Sequence, residues 1–308
     1  MTAPVILARK LTKRYGDFAA VDGLDFEVPA GEAFGLLGPN GAGKSTTMRM
    51  ISGTSLRTDG ELRILGLDPS EDGPAVRAQL GVVPQSDTVD QDLRVFDNLI
   101  VYGRYFGLPM GVVRERAEAL LAFAQLEDKR KARIDDLSGG MKRRLTIARG
   151  LMNDPRILLL DEPTTGLDPQ ARHVLWDRLF RLKEQGTTLI LTTHYMDEAE
   201  QLCDRLVVVD KGRIMAEGSP AQLIREHSSR EVLEVRFGSS QNAAAAERLA
   251  GLGDRVEALP DRVLVYADDG EAALREVHAR GLEPMTSLVR RSSLEDVFLR
   301  LTGRSLIE

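Results

Sequence analysis

The chain has 308 residues, 43% hydrophobic and 29% charged, a balance that suits a folded, water-soluble protein with one large domain and a second, smaller one. No apolar run nears the ~18 residues a membrane-crossing helix needs, and residues Met1 to Val5 show no basic segment followed by an apolar one, so the expectation is a chain that stays where it is made. A net charge of −6 argues against a nucleic-acid partner, and the lone Cys203 excludes an internal disulfide framework and suits a reducing compartment.

Residues 5–11 and 19–28 mix apolar residues with single charges, as short antiparallel strands do, and the turn Pro29-Ala30-Gly31-Glu32 leads into an apolar strand at Ala33 to Leu37. Next comes Gly38-Pro39-Asn40-Gly41-Ala42-Gly43-Lys44-Ser45, which fills every fixed position of the G-x-x-x-x-G-K-[ST] phosphate loop. Bare glycines let the backbone curl around phosphate oxygens and aim its N–H groups inward. Lys44 supplies charge to the β- and γ-phosphates and the Ser45 hydroxyl can ligate Mg²⁺, while Ser45 and Thr46 open a helix whose positive dipole end favours an anion. A nucleoside triphosphate is the expected ligand.

Glu61 to Leu65 reads as a further strand, and the run Leu80-Gly81-Val82-Val83 stops at Pro84, so Gln85 opens a loop at a strand tip, within reach of a metal or an attacking water. From Asp92 to Gly107 the spacing of Phe96, Leu99, Gly103 and Phe106, with Tyr102 and Tyr105 beside them, is helical; these aromatics serve either a core or a docking surface. An amphipathic helix spans 112–126, and the short basic run Lys129 to Arg133, followed by Asp135-Asp136, reads as a solvated face. Ser138 then caps a helix whose buried stripe is Leu145, Ala148, Leu151 and Met152. Gly139 and Gly140 directly after a cap each cost the helix roughly 1 kcal/mol relative to alanine, which points to a phosphate lying against bare backbone.

Ile157 to Leu160 followed by Asp161-Glu162 is the pattern of a central parallel strand with function at its tip. Asp161 can hold Mg²⁺ through water, and Glu162 can orient or deprotonate an attacking water. Asp168 caps the next helix with Pro169 in its first position; that helix buries Leu175, Leu179 and Leu182, with Trp176 and Phe180 read as packing. A buried strand covers 187–193, and His194 sits just past its end, where open α/β sheets place ligands. A helix at 196–202, a hairpin around Asp210-Lys211-Gly212 and a short helix opened by Ser219-Pro220 follow.

The rhythm changes at His227-Ser228-Ser229. Beyond it the order strand, helix, strand, strand, helix, strand matches the βαββαβ of ferredoxin-like folds, and Ser292-Ser293-Leu294-Glu295 reads as a capping box for a last helix with the stripe Leu294, Val297, Phe298 and Leu301. No catalytic set is visible there, which leaves regulation, docking or dimer formation.

The phosphate loop, Gln85, Leu137-Ser138-Gly139-Gly140, Asp161-Glu162, Asp168 and His194, in this order, resemble an ABC transporter ATPase subunit over residues 5–226. The resemblance implies an α/β P-loop cassette at 1–228, with a mixed-sheet core, an antiparallel β subdomain and a helical subdomain at about 86–152, followed by a small α+β ferredoxin-like domain at 229–308. It implies ATP and Mg²⁺ sandwiched between two copies, with Gly38, Pro39, Asn40, Gly41, Ala42, Gly43, Lys44, Ser45 and Thr46 of one chain facing Ser138, Gly139 and Gly140 of the other. On the same resemblance Tyr15 stacks on adenine, Ser45, Gln85 and Asp161 serve the metal, Glu162 is the catalytic base, His194 contacts the γ-phosphate and Asp168 links the two sites. The implied partners are a second copy and a separate integral membrane permease, with no nucleic acid, so the expected place is the cytoplasmic face of the membrane. Met141, where the family often has glutamine, and Gly166, where alanine is commoner, are departures expected to tune rather than abolish activity.

More narrowly, Leu137 to Arg149, Pro163 to Asp168 and Thr193 to Glu200 resemble the drug-resistance and nodulation-factor exporter branch, which implies export of a drug, antibiotic, lipid or glycolipid-like molecule chosen by the permease. The competing reading is a soluble ABC ATPase acting on ribosomes or nucleic acid, disfavoured by the single cassette and the short stretch between Lys44 and Ser138. A third reading makes the C-terminal unit a small-molecule sensor.

Overall fold

The computed structural model describes residues 3–238 and 241–303, so the first two and last five residues of the expected domains lie outside the described residues. The chain divides into two units, Met1–Gly218 and Ser219–Glu308.

The first unit contains β1 (Ile6–Tyr15), β2 (Phe18–Val28), β3 (Ala33–Leu37), α1 (Lys44–Ile51), β4 (Asp59–Ile64), α2 (Gly73–Ala78), β5 (Leu80–Val83), α3 (Val95–Tyr105), α4 (Met110–Ala124), α5 (Gly139–Gly150), β6 (Ile157–Asp161), α6 (Pro169–Glu184), β7 (Thr188–Thr193), α7 (Met196–Leu202), β8 (Arg205–Asp210) and β9 (Arg213–Gly218). Six strands form one sheet in the order β5-β6-β7-β3-β8-β9, parallel except for the β8–β9 hairpin. Every residue of β3 and β7, and all of β6 but its last, is buried, which is why these strands read as continuous apolar runs rather than alternating ones. The carboxyl ends of β5, β6, β7 and β3 therefore lie side by side, the edge at which open α/β sheets bind ligands.

A second, antiparallel sheet has the order β2-β1-β4. Phe26 of β2 stacks on Phe34 of β3 with ring centroids 5.6 Å apart, and Ile6, Leu24, Leu36, Ile51 and Leu62 join the two sheets and α1 in one core. The helical layer has its own core of Val95, Leu99, Val113, Leu121, Leu145, Ala148 and Met152, on α3, α4, α5 and the turn that follows α5. Phe180, expected to pack, is instead 45% exposed: α6 buries Leu175 and Leu179, and residue 180 falls off that stripe. Cys203 lies just beyond α7, buried against Gly35, where a Cβ would stand 2.6 Å from its sulfur.

The second unit contains α8 (Pro220–His227), β10 (Glu231–Arg236), α9 (Asn242–Arg248), β11 (Arg255–Ala258), β12 (Val263–Ala267), α10 (Gly270–Ala279), β13 (Thr286–Arg291) and α11 (Leu294–Thr302). Its sheet is antiparallel throughout in the order β11-β12-β10-β13, the ferredoxin-like arrangement. The division falls at Gly218/Ser219 rather than at 228/229, because α8 packs on α11 and Arg300 of α11 donates to the His227 carbonyl at 2.9 Å. The capping box sits one residue later than expected, on Ser293 and Asp296. Ser292 is engaged elsewhere, its hydroxyl donating to Ser229 O at 2.5 Å. Arg290 grips Asp296 with two bonds of 2.7 and 2.9 Å; burial raises the carboxyl's pKa, and these bonds more than offset that and hold it below its ordinary range.

Candidate active site

The phosphate loop links β3 to α1. Gly41 and Gly43 adopt the left-handed region, with φ of 80° and 105°, and a Cβ on Gly43 would stand 2.4 Å from Ala20 O, so only glycine fits. Lys44 is 5% exposed and folds back to donate to Gly38 O at 2.6 Å and Pro39 O at 3.0 Å, bracing the loop. Burial lowers its pKa, opposed by the charges of Glu162 and Asp161.

At the tip of β6, Asp161 Oδ1 accepts from Ser45 Oγ at 3.1 Å and from Thr192 Oγ1 of β7 at 2.5 Å. Two of the three residues expected on the metal side, Ser45 and Asp161, thus touch directly, while the Gln85 amide bonds to Glu162 instead. Among the described residues no group of three or more His, Cys, Asp or Glu side chains gathers to hold a metal unaided. A hydroxyl and one carboxylate are hard oxygen donors, the sparse protein contribution that suits Mg²⁺ shared with phosphate oxygens.

Glu162 is 6% exposed and takes a left-handed backbone, φ 47°, rare for a residue with a Cβ. Its N–H is held by Thr192 O and Thr192 Oγ1, both at 3.1 Å, which fixes the turn. Its Oε2 accepts from Gln85 Nε2 at 2.9 Å and Thr165 Oγ1 at 3.2 Å, while Oε1 lies 3.3 Å from His194 Nδ1. Gln85, Glu162 and His194, from the ends of β5, β6 and β7, form one cluster.

Arg143 of α5 was not foreseen as a site residue. It is 3% exposed, and its guanidinium donates to Pro84 O (2.5 Å), Gln85 O (3.2 Å), Asp161 O (3.0 Å), Glu162 O (3.0 Å) and Pro163 O (2.8 Å). Burial lowers its pKa, against the raising charges of Asp87, Glu198, Asp161 and Glu162. One side chain thereby locks the loops that carry Gln85 and Glu162. A sequence signal exists: Ile147 and Gly150, four and seven residues on, are also buried, giving α5 a second inward face.

The remaining expected residues stand apart from this cluster. A cavity of about 460 Å³ is lined by Ser45, Met48, Arg49, Pro84, Gln85 and Asp161, whereas Ser138, Gly140, Met141, Arg144, Asp168 and Gln170 line a separate one of about 240 Å³. Ser138 Oγ accepts from Met141 N at 3.3 Å and Asp168 Oδ1 from Ala171 N at 2.9 Å, so both act as helix caps. Tyr15, at the end of β1, is 50% exposed, with Lys13 Nζ 5.0 Å from its ring centroid.

The "ABC transporter" family profile matches residues 21–165, and that of the "Nodulation factor export protein NodI, C-terminal domain" matches 241–303. The Nod factor export ATP-binding protein I of Ralstonia nicotianae is 49% identical over 311 residues, spanning 99% of this chain and 96% of that protein. The protein of the same name from Rhizobium sp. (strain N33) is 50% identical over 294 residues, covering 96% and 95%. Among solved structures, an ATP-binding subunit of an ABC transporter superposes with a TM-score of 0.67 at 29% identity, covering 72% of this chain and 92% of its own. A dimeric cassette bound to ADP and Pi gives 0.64 at 26% identity, covering 70% and 98%. These findings leave the soluble ribosome or nucleic-acid reading unsupported. The chain belongs to the ABC transporter family, as an ATP-binding and ATP-hydrolysing subunit in the branch that carries the NodI-type C-terminal domain.

Proposed function

We propose that two copies of this chain close on two molecules of Mg·ATP and drive a separate integral membrane permease, with the cassette held peripherally on the cytoplasmic face. The observation that carries this reading is the separation of two half-sites on one chain: the cluster Lys44, Ser45, Gln85, Asp161, Glu162 and His194, of which Ser45, Gln85 and Asp161 line one cavity, and the Ser138 and Asp168 helix starts, which line another. Each half is incomplete, and a second copy supplies the complement.

In this reading Ser45 and Asp161, with Gln85 nearby, hold Mg²⁺, which when bound offsets phosphate charge. Lys44 releases its loop carbonyls to meet the β- and γ-phosphates. Glu162 takes the proton of the attacking water on Oε1, since Oε2 is already engaged by Gln85 and Thr165. His194, beside that oxygen, meets the γ-phosphate. Tyr15, exposed at the end of β1, stacks on adenine.

Phe96 is covered by the Arg130 guanidinium, 3.8 Å from its ring centroid, so the exposed apolar end of the helical layer is Tyr105, 80% exposed, with Met110. That end and the cavity beside Gln85 are where we place the permease contact. The relatives are named for Nod factor export, and a lipid- or glycolipid-like cargo, selected by the permease, is the export reading they support. Trapping the Glu162→Gln chain with ATP in native membranes and identifying what co-purifies in mild detergent tests this. A multi-span membrane protein is the expected companion; ribosomes or nucleic acid without one would overturn it.

A further inference from the structure

Below the site, α7 buries a carboxylate that the chemistry above leaves unused. Glu198 is 0% exposed, and its Oε1 accepts from Trp176 Nε1 of α6 at 3.4 Å. The Thr193 and Thr164 hydroxyls and the Arg172 guanidinium face the same carboxylate. Yet Glu198 Oε2 and Arg172 Nε are buried with no hydrogen-bond partner among the described residues. Two unsatisfied groups of opposite charge, one on α7 and one on α6, are not an ordinary packing outcome, because buried polar groups are nearly always bonded.

The same segments are joined through stacking. The Arg172 guanidinium lies 4.8 Å from the Tyr195 ring centroid, and the Tyr195 ring lies 4.1 Å from that of His194. Tyr195 N is held by Thr193 Oγ1 at 2.9 Å. Glu198 therefore sits at the base of a chain of contacts running from His194 to α6, the helix that starts at Asp168. A carboxylate oxygen without a partner, beside a guanidinium N–H that also lacks one, belongs to an element with a second, better-bonded arrangement.

We propose that Glu198 is a positioning residue whose unpartnered oxygen takes up the Arg172 Nε–H when ATP draws α6 toward the second copy, so that the His194–Tyr195 turn and the Asp168 helix move as one body. This rests on the two-copy reading above. Trp176 is the only tryptophan in the chain, so its fluorescence reports the Glu198 contact directly.

The experiment compares the full chain with its Glu198→Gln variant, with and without a non-hydrolysable ATP analogue. Nucleotide shifts Trp176 emission in the unsubstituted chain. Glu198→Gln loses that shift, and its kcat falls about tenfold while KM for ATP stays within about twofold, since placement and not binding is lost. Unchanged kcat in the variant overturns the proposal, as does an equal rise in KM. An unsubstituted chain whose Trp176 emission ignores nucleotide also overturns it, whether or not the variant folds. The two-copy reading is read separately: turnover per chain that is indifferent to dilution removes that reading and this proposal with it. A flat Trp176 response with dilution-sensitive turnover removes this proposal alone.

Discussion

The two half-sites of the first unit are built in opposite ways. At the strand tips, side chains interlock: Asp161 with Ser45 and Thr192, Glu162 with Gln85 and Thr165, and Arg143 beneath them on five carbonyls. At Ser138 and Asp168, by contrast, the caps are local to their own helices, and a Cβ on Gly139 would meet nothing within 4 Å. One half is an interlocked set of side chains; the other is open backbone, which the proposed reading gives to a phosphate. On the proposed reading, the difference teaches that a single chain can preorganise the group meant for the attacking water without completing the site that positions the triphosphate.

Breaking the first half has the largest expected effect. Glu162→Gln should keep ATP affinity while turnover falls ~10²- to 10⁴-fold, the range for losing a positioned base; single-turnover hydrolysis and nucleotide binding measured together check it. Arg143→Ala should come next, because it orphans carbonyls of both catalytic loops. A loss of about 3 kcal/mol of stability, read by chemical denaturation, is expected, with turnover reduced in the fraction that remains folded.

The open half is sharpened by Gly139→Asp, which the free space at that position tolerates but which sets a carboxylate where a phosphate is to lie. Turnover should fall roughly 10- to 100-fold while ATP binding to the dilute, separate chain stays unchanged. The smallest effect lies outside both halves. Asp68 is gripped by Arg57 at 2.7 and 2.8 Å, and chiefly for that reason its pKa is lowered from 3.8 to about 2. A depressed folded value means stability that is fully present above about 3.8 and is lost as pH falls through about 2. Asp68→Asn should cost on the order of 1–2 kcal/mol near neutral pH and nothing once the pH is well below the folded value, seen as melting curves that converge on acidification.

Much of this arrangement is legible in the residues themselves, because each element of the first half is a local pattern: a glycine loop after an apolar run, or carboxylates at the end of four buried residues. The order of the second unit was legible for the same reason, from period-two strands alternating with helices. What stayed hidden depends on contacts distant in the chain. Arg143 acts on carbonyls of residues 84, 85 and 161–163, and no pattern of side chains announces a backbone acceptor. The left-handed turn at Glu162 is imposed by Thr192 on a neighbouring strand. Ser292, the expected cap, donates its hydroxyl to Ser229, far back in the sequence, and the capping box forms on Ser293 instead. The complementarity of the two half-sites is likewise visible only once each has been placed on its own cavity.

The central claim is that these halves act across two copies. Lys44→Ala spoils the phosphate loop and Gly139→Asp spoils the open half, so each variant alone should turn over at least roughly 10-fold more slowly than the unsubstituted chain. Mixing the two full-length variants, after dissociation and reassembly, should restore turnover, because the paired variants form one intact site from the loop of one chain and the glycine pair of the other. A mixture no more active than the sum of its parts would contradict the account.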